Sequence, residues 1–166
     1  RYFIQENGEI NHVRIYDHGR IVGYVKKPDA KGNGEVVKIE NGTADVKSFY
    51  PNGKVARQYQ LVNGDFQGRY LQYNPDGSLS YESNYKDDNR MGVVKSYYQN
   101  GSLKRKESRV DGYLHGTVEE YHPNGKLKVK MNYDLGRLNG EYLVYDESGT
   151  LIHKYLYRSN MLTEEI

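Results

Sequence analysis

The sequence predicts an all-β protein: an elongated, single-layer antiparallel β-sheet running as a meander of 24-residue β-hairpin repeats. Three observations carry the prediction. The 166 residues include 18 Tyr and 18 Gly, against 3 Phe and no Trp. Tyrosine favours half-covered strands, and glycine belongs in turns that need positive φ. Glycines recur every 24 residues at Gly53, Gly77, Gly101, Gly125 and Gly149. An aromatic stands four residues before each (Phe49, Tyr73, Tyr97, Tyr121, Tyr145) and an aliphatic two after (Val55, Leu79, Leu103, Leu127, Leu151). Columns held in register over five units mark a repeat protein.

The elements follow in order. "YFIQENGEI" and "RIYDHGRIVGYV" read as strands around turns at Asn7-Gly8 and His18-Gly19. Residues 1–34 are therefore divergent N-terminal strands that cap the sheet, since terminal repeats are usually atypical. Within them "PDAKGNG", Pro28 to Gly34, is a loop. Residues 35–157 hold five hairpin repeats, which with the N-terminal strands make one twisted slab. Residues 158–166 start a sixth unit, with Leu162 in the return-turn column and Glu164 in the place of a glycine. That ending reads as a charged cap on an exposed edge.

Each repeat is justified by its turns. Pro51, Pro75 and Pro123 set φ for the first central position of a type I turn. Asn52, Asp76 and Asn124 follow, and the glycine takes the left-handed position of a G1 bulge. This three-residue loop places Tyr121 opposite Leu127 and Glu120 opposite Lys128. Each such cross-strand pair is worth roughly 0.2–1 kcal/mol. "YQNGS" and "DESGT" lack the proline and leave the turn type open there. In "KLKVKMNY", Leu127, Val129, Met131 and Tyr133 alternate with Lys128, Lys130 and Asn132, the period of a strand with one apolar face. Return turns follow as "VNGDFQG", "DDNRMG", "DGYLHG" and "LGRLNG", and carry a second glycine column at Gly68, Gly92, Gly116 and Gly140, with Ala44 in the first unit. A further apolar column at Val46, Tyr70, Val94, Val118 and Tyr142 lies three residues before the aromatic one. That breaks strict alternation, which a bulge or a sharply twisted strand would reconcile. Leu, Ile, Val and Phe number only 36, so tyrosine must supply much of a thin core.

The pattern Gly116, Val118, Tyr121, Asn124-Gly125, Leu127 and Tyr133, repeated as Gly140, Tyr142, Tyr145, Gly149, Leu151 and Tyr157, resembles the bacterial variant of the MORN repeat (membrane occupation and recognition nexus). That variant is typified by YwqK-type antitoxin proteins. The resemblance covers about Glu35 to Leu162, and the chain departs from it at Ala44, Asp88 and Arg90. It implies β-hairpin repeats in an extended sheet, with roles in binding: neutralising a partner toxin, or scaffolding and lipid association. It carries no catalytic motif.

The residues themselves point the same way. A net charge of +2 with 28% charged residues exerts no global pull on nucleic acid or anionic lipid. There is no Cys, and no apolar run reaches the ~18–20 residues of a membrane span. The chain begins with Arg1, so cytoplasmic and exported locations both stay open. His12, His18, His115, His122 and His153 never form HxH or HExxH, and His115 and His122 would lie about 20 Å apart on an extended strand. Acidic pairs such as Asp87-Asp88 and Glu119-Glu120 are adjacent, so in a strand they point to opposite faces. No catalytic residue, metal site or cofactor is expected.

Binding residues are sought outside the columns. Tyr50, Tyr98 and Tyr113 break the column pattern, and tyrosine is favoured at interfaces. Lys104, Lys106, Lys128 and Lys130 share the polar side of their strands by parity. These seven are the candidate partner-binding residues. The expected function is a non-catalytic protein-interaction module, antitoxin-like or immunity-like, that binds a partner toxin. The alternative is a scaffold or membrane-surface protein holding anionic lipid through the basic strands. Nucleic acid is not an expected partner, because the tyrosines follow structural columns rather than interleaving with the bases.

Overall fold

A computed structural model of the chain describes residues 2–6 and 9–166. Its strands are β1 (Tyr2–Glu6), β2 (Glu9–Asp17), β3 (Arg20–Val25), β4 (Val36–Lys38), β5 (Ala44–Phe49), β6 (Val55–Val62), β7 (Asp65–Tyr73) and β8 (Leu79–Lys86), followed by β9 (Asn89–Tyr97), β10 (Leu103–Val110), β11 (Tyr113–Leu114), β12 (Gly116–Tyr121), β13 (Leu127–Asp134), β14 (Arg137–Tyr145), β15 (Leu151–Arg158) and β16 (Met161–Glu165). A single 3₁₀ turn, Glu40–Gly42, is the sole helical piece among the described residues. The expected Asn7-Gly8 turn lies outside them. Packing divides the chain into two compact units. The first runs to Leu79 and takes in Tyr85–Asp88; the second holds Ser80–Asn84 and Asn89–Ile166.

In both units the repeat strands pair antiparallel with their sequence neighbours in an open meander. The hairpin turn is the three-residue loop the sequence predicts. The Tyr50 N–H donates to Lys54 O at 2.8 Å and the Gly53 N–H to Tyr50 O at 2.9 Å, with Gly53 at φ +85°. The same two bonds close the turns at Tyr98 and Asp146, where no proline stands. There the side chain holds the loop: Asp146 Oδ1 accepts from the N–H of Ser148 at 2.8 Å and of Thr150 at 2.9 Å. Proline is therefore dispensable once an Asn or Asp accepts hydrogen bonds inside the turn.

The register departs from expectation by one residue. Tyr121 faces Leu127, but Glu120 faces Val129 rather than Lys128. Lys128 is the extra residue of a bulge, and Ala56, Lys104 and Ile152 occupy the same place in their hairpins. A bulge directly after a tight turn adds the right-handed twist the strands need.

Return turns are two-residue loops at Asn63-Gly64, Asp87-Asp88, Asp111-Gly112, Leu135-Gly136 and Ser159-Asn160. Both residues of each are left-handed, with φ between +42° and +93°. Such turns match strand twist. The second glycine column lies inside the strands, where the ladder skips beside Gly68 and Gly140. The offset between the apolar and aromatic columns has a simpler cause than a bulge: the two columns occupy opposite faces. Val118 pairs with Met131 on one face, and Tyr121 pairs with Leu127 on the other. Tyrosine on the second face uses both ends, its ring on the sheet and its hydroxyl on a polar neighbour. Tyr73 donates to Gln58 Oε1 at 3.1 Å, Tyr97 to Glu82 Oε1 at 2.8 Å and Tyr121 to Glu119 Oε2 at 3.0 Å. We call these the aliphatic and the polar face.

In the second unit Val118, Val129 and Met131 are buried on the aliphatic face, flanked by Leu114, Tyr133, Leu138 and Tyr142. In the first unit the N-terminal strands form a sheet of their own, in the order β1-β2-β3-β4, instead of joining the repeat strands. The reason is apolar area: Val13, Ile21, Tyr24 and Val25 need a covered face, and they are buried together with Tyr59 and Leu61. His12 Nε2 lies 2.9 Å from the Tyr59 hydroxyl, and the Arg14 guanidinium sits 4.9 Å from the Phe66 ring centre.

Candidate functional site

A repeat supplies its own controls, because each column shows what the fold requires at that position. Tyr50 and Tyr98 turn out to serve the fold. The Tyr50 hydroxyl donates to Tyr73 O at 2.6 Å, and the Tyr98 hydroxyl donates to Tyr121 O at 2.7 Å. In the next unit His122 Nε2 meets Tyr145 O at 3.0 Å. Each bond ties one hairpin turn to the carbonyl of the following turn. Asn52, Asn100 and Asn124 repeat the device from their side-chain nitrogens to Pro75 O, Pro123 O and Glu147 O, at 2.8, 3.1 and 3.0 Å. Tyr50 is buried and Tyr98 half-buried.

The lysines divide. Lys106 and Lys130 both face Glu119 in register, on the polar face, and Lys106 Nζ lies 3.6 Å from Glu119 Oε2. Lys104 and Lys128 are the bulge residues, so strand parity no longer assigns them a side. Both are exposed, and Lys104 Nζ stands 5.6 Å from the Tyr98 ring centre. Lys154 and Glu141 form a further pair at 2.8 Å on the neighbouring strands. Hydrogen bonding to the Lys154 ammonium and its charge hold the Glu141 carboxyl below the usual range, and the same bond raises Lys154.

Tyr113 is 60% exposed and has apolar company. It pairs with Val110, while Val93 pairs with Ser108, which places all three on the side of Lys106. Met91 stands two residues back along β9 and is exposed as well. The Tyr113 ring lies against the next return turn, since a Cβ built on Gly136 would meet Tyr113 Cδ1 at 3.4 Å. Beside that glycine Leu135 is 58% exposed and held at φ +42°. The equivalents of Leu135 in the other units are Asn63, Asp87, Asp111 and Ser159, and those of Val93 are Arg69, Thr117 and Glu141. Columns that are polar elsewhere are thus apolar here, around one hairpin. Leucine in the left-handed region costs roughly 1–2 kcal/mol that Asn or Asp largely avoids.

Sequence reasoning singled out Tyr113 and missed Met91, Val93, Val110 and Leu135. The signal was available as apolar residues in polar columns, but it is read only once the faces are known. Among the described residues no helix is long and apolar enough to cross a membrane, and no three His, Asp or Glu group as a metal site. A family model described as the MORN repeat variant matches residues 43–63, 66–87, 92–111, 114–135 and 138–159. No curated protein matches the chain.

Proposed function

The chain belongs to the MORN repeat variant family, whose repeats suggest a binding module, and from that premise we propose that it is a non-catalytic protein-interaction module. Its partner is a protein with an acidic rim, taken on the polar face of the second unit. The observation that carries this reading is the exposed apolar group of Val93, Val110, Tyr113 and Leu135 in columns that are otherwise mostly polar. A contiguous exposed apolar patch marks an interaction site. A strained, exposed leucine where four sister turns use Asn, Asp or Ser is a departure that favours function over stability. Lys106 and Lys130 on the same face, with the exposed Lys104 and Lys128, supply the positive rim and would speed encounter with an acidic surface. The resemblance to antitoxin repeats makes a toxin the partner class we favour.

The test uses partner capture with purified full chain and separates binding from stability. Leu135→Asn should raise stability by about 0.5–1 kcal/mol while weakening capture at least tenfold. Tyr113→Ser should weaken capture similarly with little change in stability, because the side chain is mostly exposed. Tyr98→Phe should do the reverse, costing about 1 kcal/mol of stability and leaving capture intact. Capture that survives both Tyr113→Ser and Leu135→Asn would remove this face as the site. Salt-sensitive binding to phosphatidylserine vesicles, lost on charge reversal of Lys104 and Lys128, would favour the membrane-surface reading instead.

A further inference from the structure

The aliphatic face of the second unit breaks its own pattern in one place. Arg109 stands where other units carry Leu61, Tyr85, Tyr133 and Tyr157. Glu107 replaces Tyr59, Ser83, Met131 and Tyr155, and Arg90 replaces Phe66, Leu114, Leu138 and Leu162. With Arg105 these residues line a hollow of about 260 Å3, and Tyr81, Val94 and Ser96 complete its wall. The lining therefore holds three guanidiniums and one carboxylate.

Glu107 organises them. It is buried, and its carboxylate accepts from Arg105 Nε at 2.8 Å and from Arg109 Nε at 2.6 Å. Arg105 Nη1 is further bound to Glu120, and Arg109 Nη1 donates to Gly112 O at 2.6 Å. Each guanidinium is thus gripped by two of its nitrogens. The Nη2 groups of Arg105 and Arg109 make no hydrogen bond among the described residues, and the two side chains keep 32% and 21% of their exposure. The Arg90 guanidinium lies 5.9 Å from the Tyr81 ring centre.

Stability does not account for such a cluster. Replacing a buried Arg–Glu–Arg triad by well-packed apolar residues is commonly neutral or stabilising. The following repeat shows which residues would serve, with Val129, Met131 and Tyr133 in the positions of Arg105, Glu107 and Arg109. Planar guanidiniums held rigid with donors left over suit a planar oxyanion, and fixing them beforehand removes ordering cost from binding. The tyrosine ring and valine methyls beside them suit a short alkyl stem.

We propose that this hollow recognises a carboxylate, namely a glutamate or aspartate side chain presented by an acidic peptide segment. The carboxylate oxygens accept from the Nη2 groups of Arg105 and Arg109, Arg90 closes the rim, and the stem rests on Tyr81 and Val94. The site is on the sheet face opposite Tyr113, so it stands or falls independently of the reading above.

The experiment follows the arginine Nε–Hε resonances of the full chain during titration with a glutamate-rich peptide. Parallel titrations use its glutamine counterpart and inorganic phosphate. Saturable shifts at Arg105 and Arg109 are expected with the glutamate peptide and none with the glutamine one. Affinity should fall at least tenfold in Arg90→Leu and in the swap Arg105→Val/Glu107→Met/Arg109→Tyr, whose binding is followed by backbone amides. Arg90→Leu, at the exposed rim, decides the matter should the swap fail to fold. Equal binding by wild type and variants would overturn the proposal, and so would phosphate shifting the same resonances as strongly as the peptide.

Discussion

Replacing Glu107 by Ala lowers the stability of the second unit by about 3 kcal/mol, the cost of leaving two partly buried guanidiniums without their shared carboxylate. Two guanidiniums converge on that one carboxylate at 2.8 and 2.6 Å. Burial alone would push the Glu107 carboxyl up, but the hydrogen bonds and charge of Arg105 and Arg109 outweigh it and hold it below the usual range. A carboxyl depressed in the folded state contributes stability above its unfolded pKa and loses it as pH falls through the folded value. The Glu107→Ala loss should therefore be largest near neutral pH and shrink under acid. Denaturant melts followed by tyrosine fluorescence would measure it. The swap variant that copies Val129, Met131 and Tyr133 should cost nothing or gain stability by the same measurement. A Glu107→Ala protein as stable as wild type would mean that the arginines find water or other partners readily, and that the triad is not a rigid unit.

The second large effect is acid destabilisation of the first unit through His12. The ring is fully buried, with Nε2 on the Tyr59 hydroxyl and Nδ1 without a hydrogen-bond partner among the described residues. Burial, with the charges of Arg14 and Arg57 adding to it, lowers its pKa well below the ordinary value. Burial also pushes the Tyr59 phenol up to about 12, so it stays a neutral hydroxyl partner. The folded state then binds fewer protons than the unfolded one once pH drops below the unfolded value of 6.5. Stability present above that pH is lost below it, at roughly 1.4 kcal/mol per pH unit while His12 stays neutral. His12→Phe keeps a ring against Tyr59 and removes the proton, so it should flatten the slope between pH 6.5 and 5.5 whatever it does to the baseline. Hydrogen exchange at the amides of β2 and β6 reads this directly. An equal slope in the variant would place the acid sensitivity elsewhere.

The two effects show how differently the two units use one repeat. In the first, the aliphatic face is covered by a second sheet, and the buried His12 meets the Tyr59 hydroxyl there. In the second, the chain inserts an ion triad into that face and places apolar residues on the other. The Arg90 departure was visible in the sequence, as was Tyr113 outside the columns. Val93 and Leu135 stand in polar columns of the sequence, but an apolar residue near a turn gains meaning only once its neighbours are known.

What the sequence alone determined is everything governed by a few neighbouring residues. Gly53 and its four successors take left-handed positions because only such a residue closes the loop easily, and Tyr121 meets Leu127 as a consequence. The period of 24 then dictates the meander. Tertiary structure decided the rest: the internal use of the Tyr50 and Tyr98 hydroxyls and the separate sheet of β1–β4. These depend on groups far apart along the chain, 23 residues for the Tyr50 hydroxyl and 47 for His12 and Tyr59. Backbone preference acts over a turn or so, whereas burial is settled by whichever distant surface supplies the missing apolar cover.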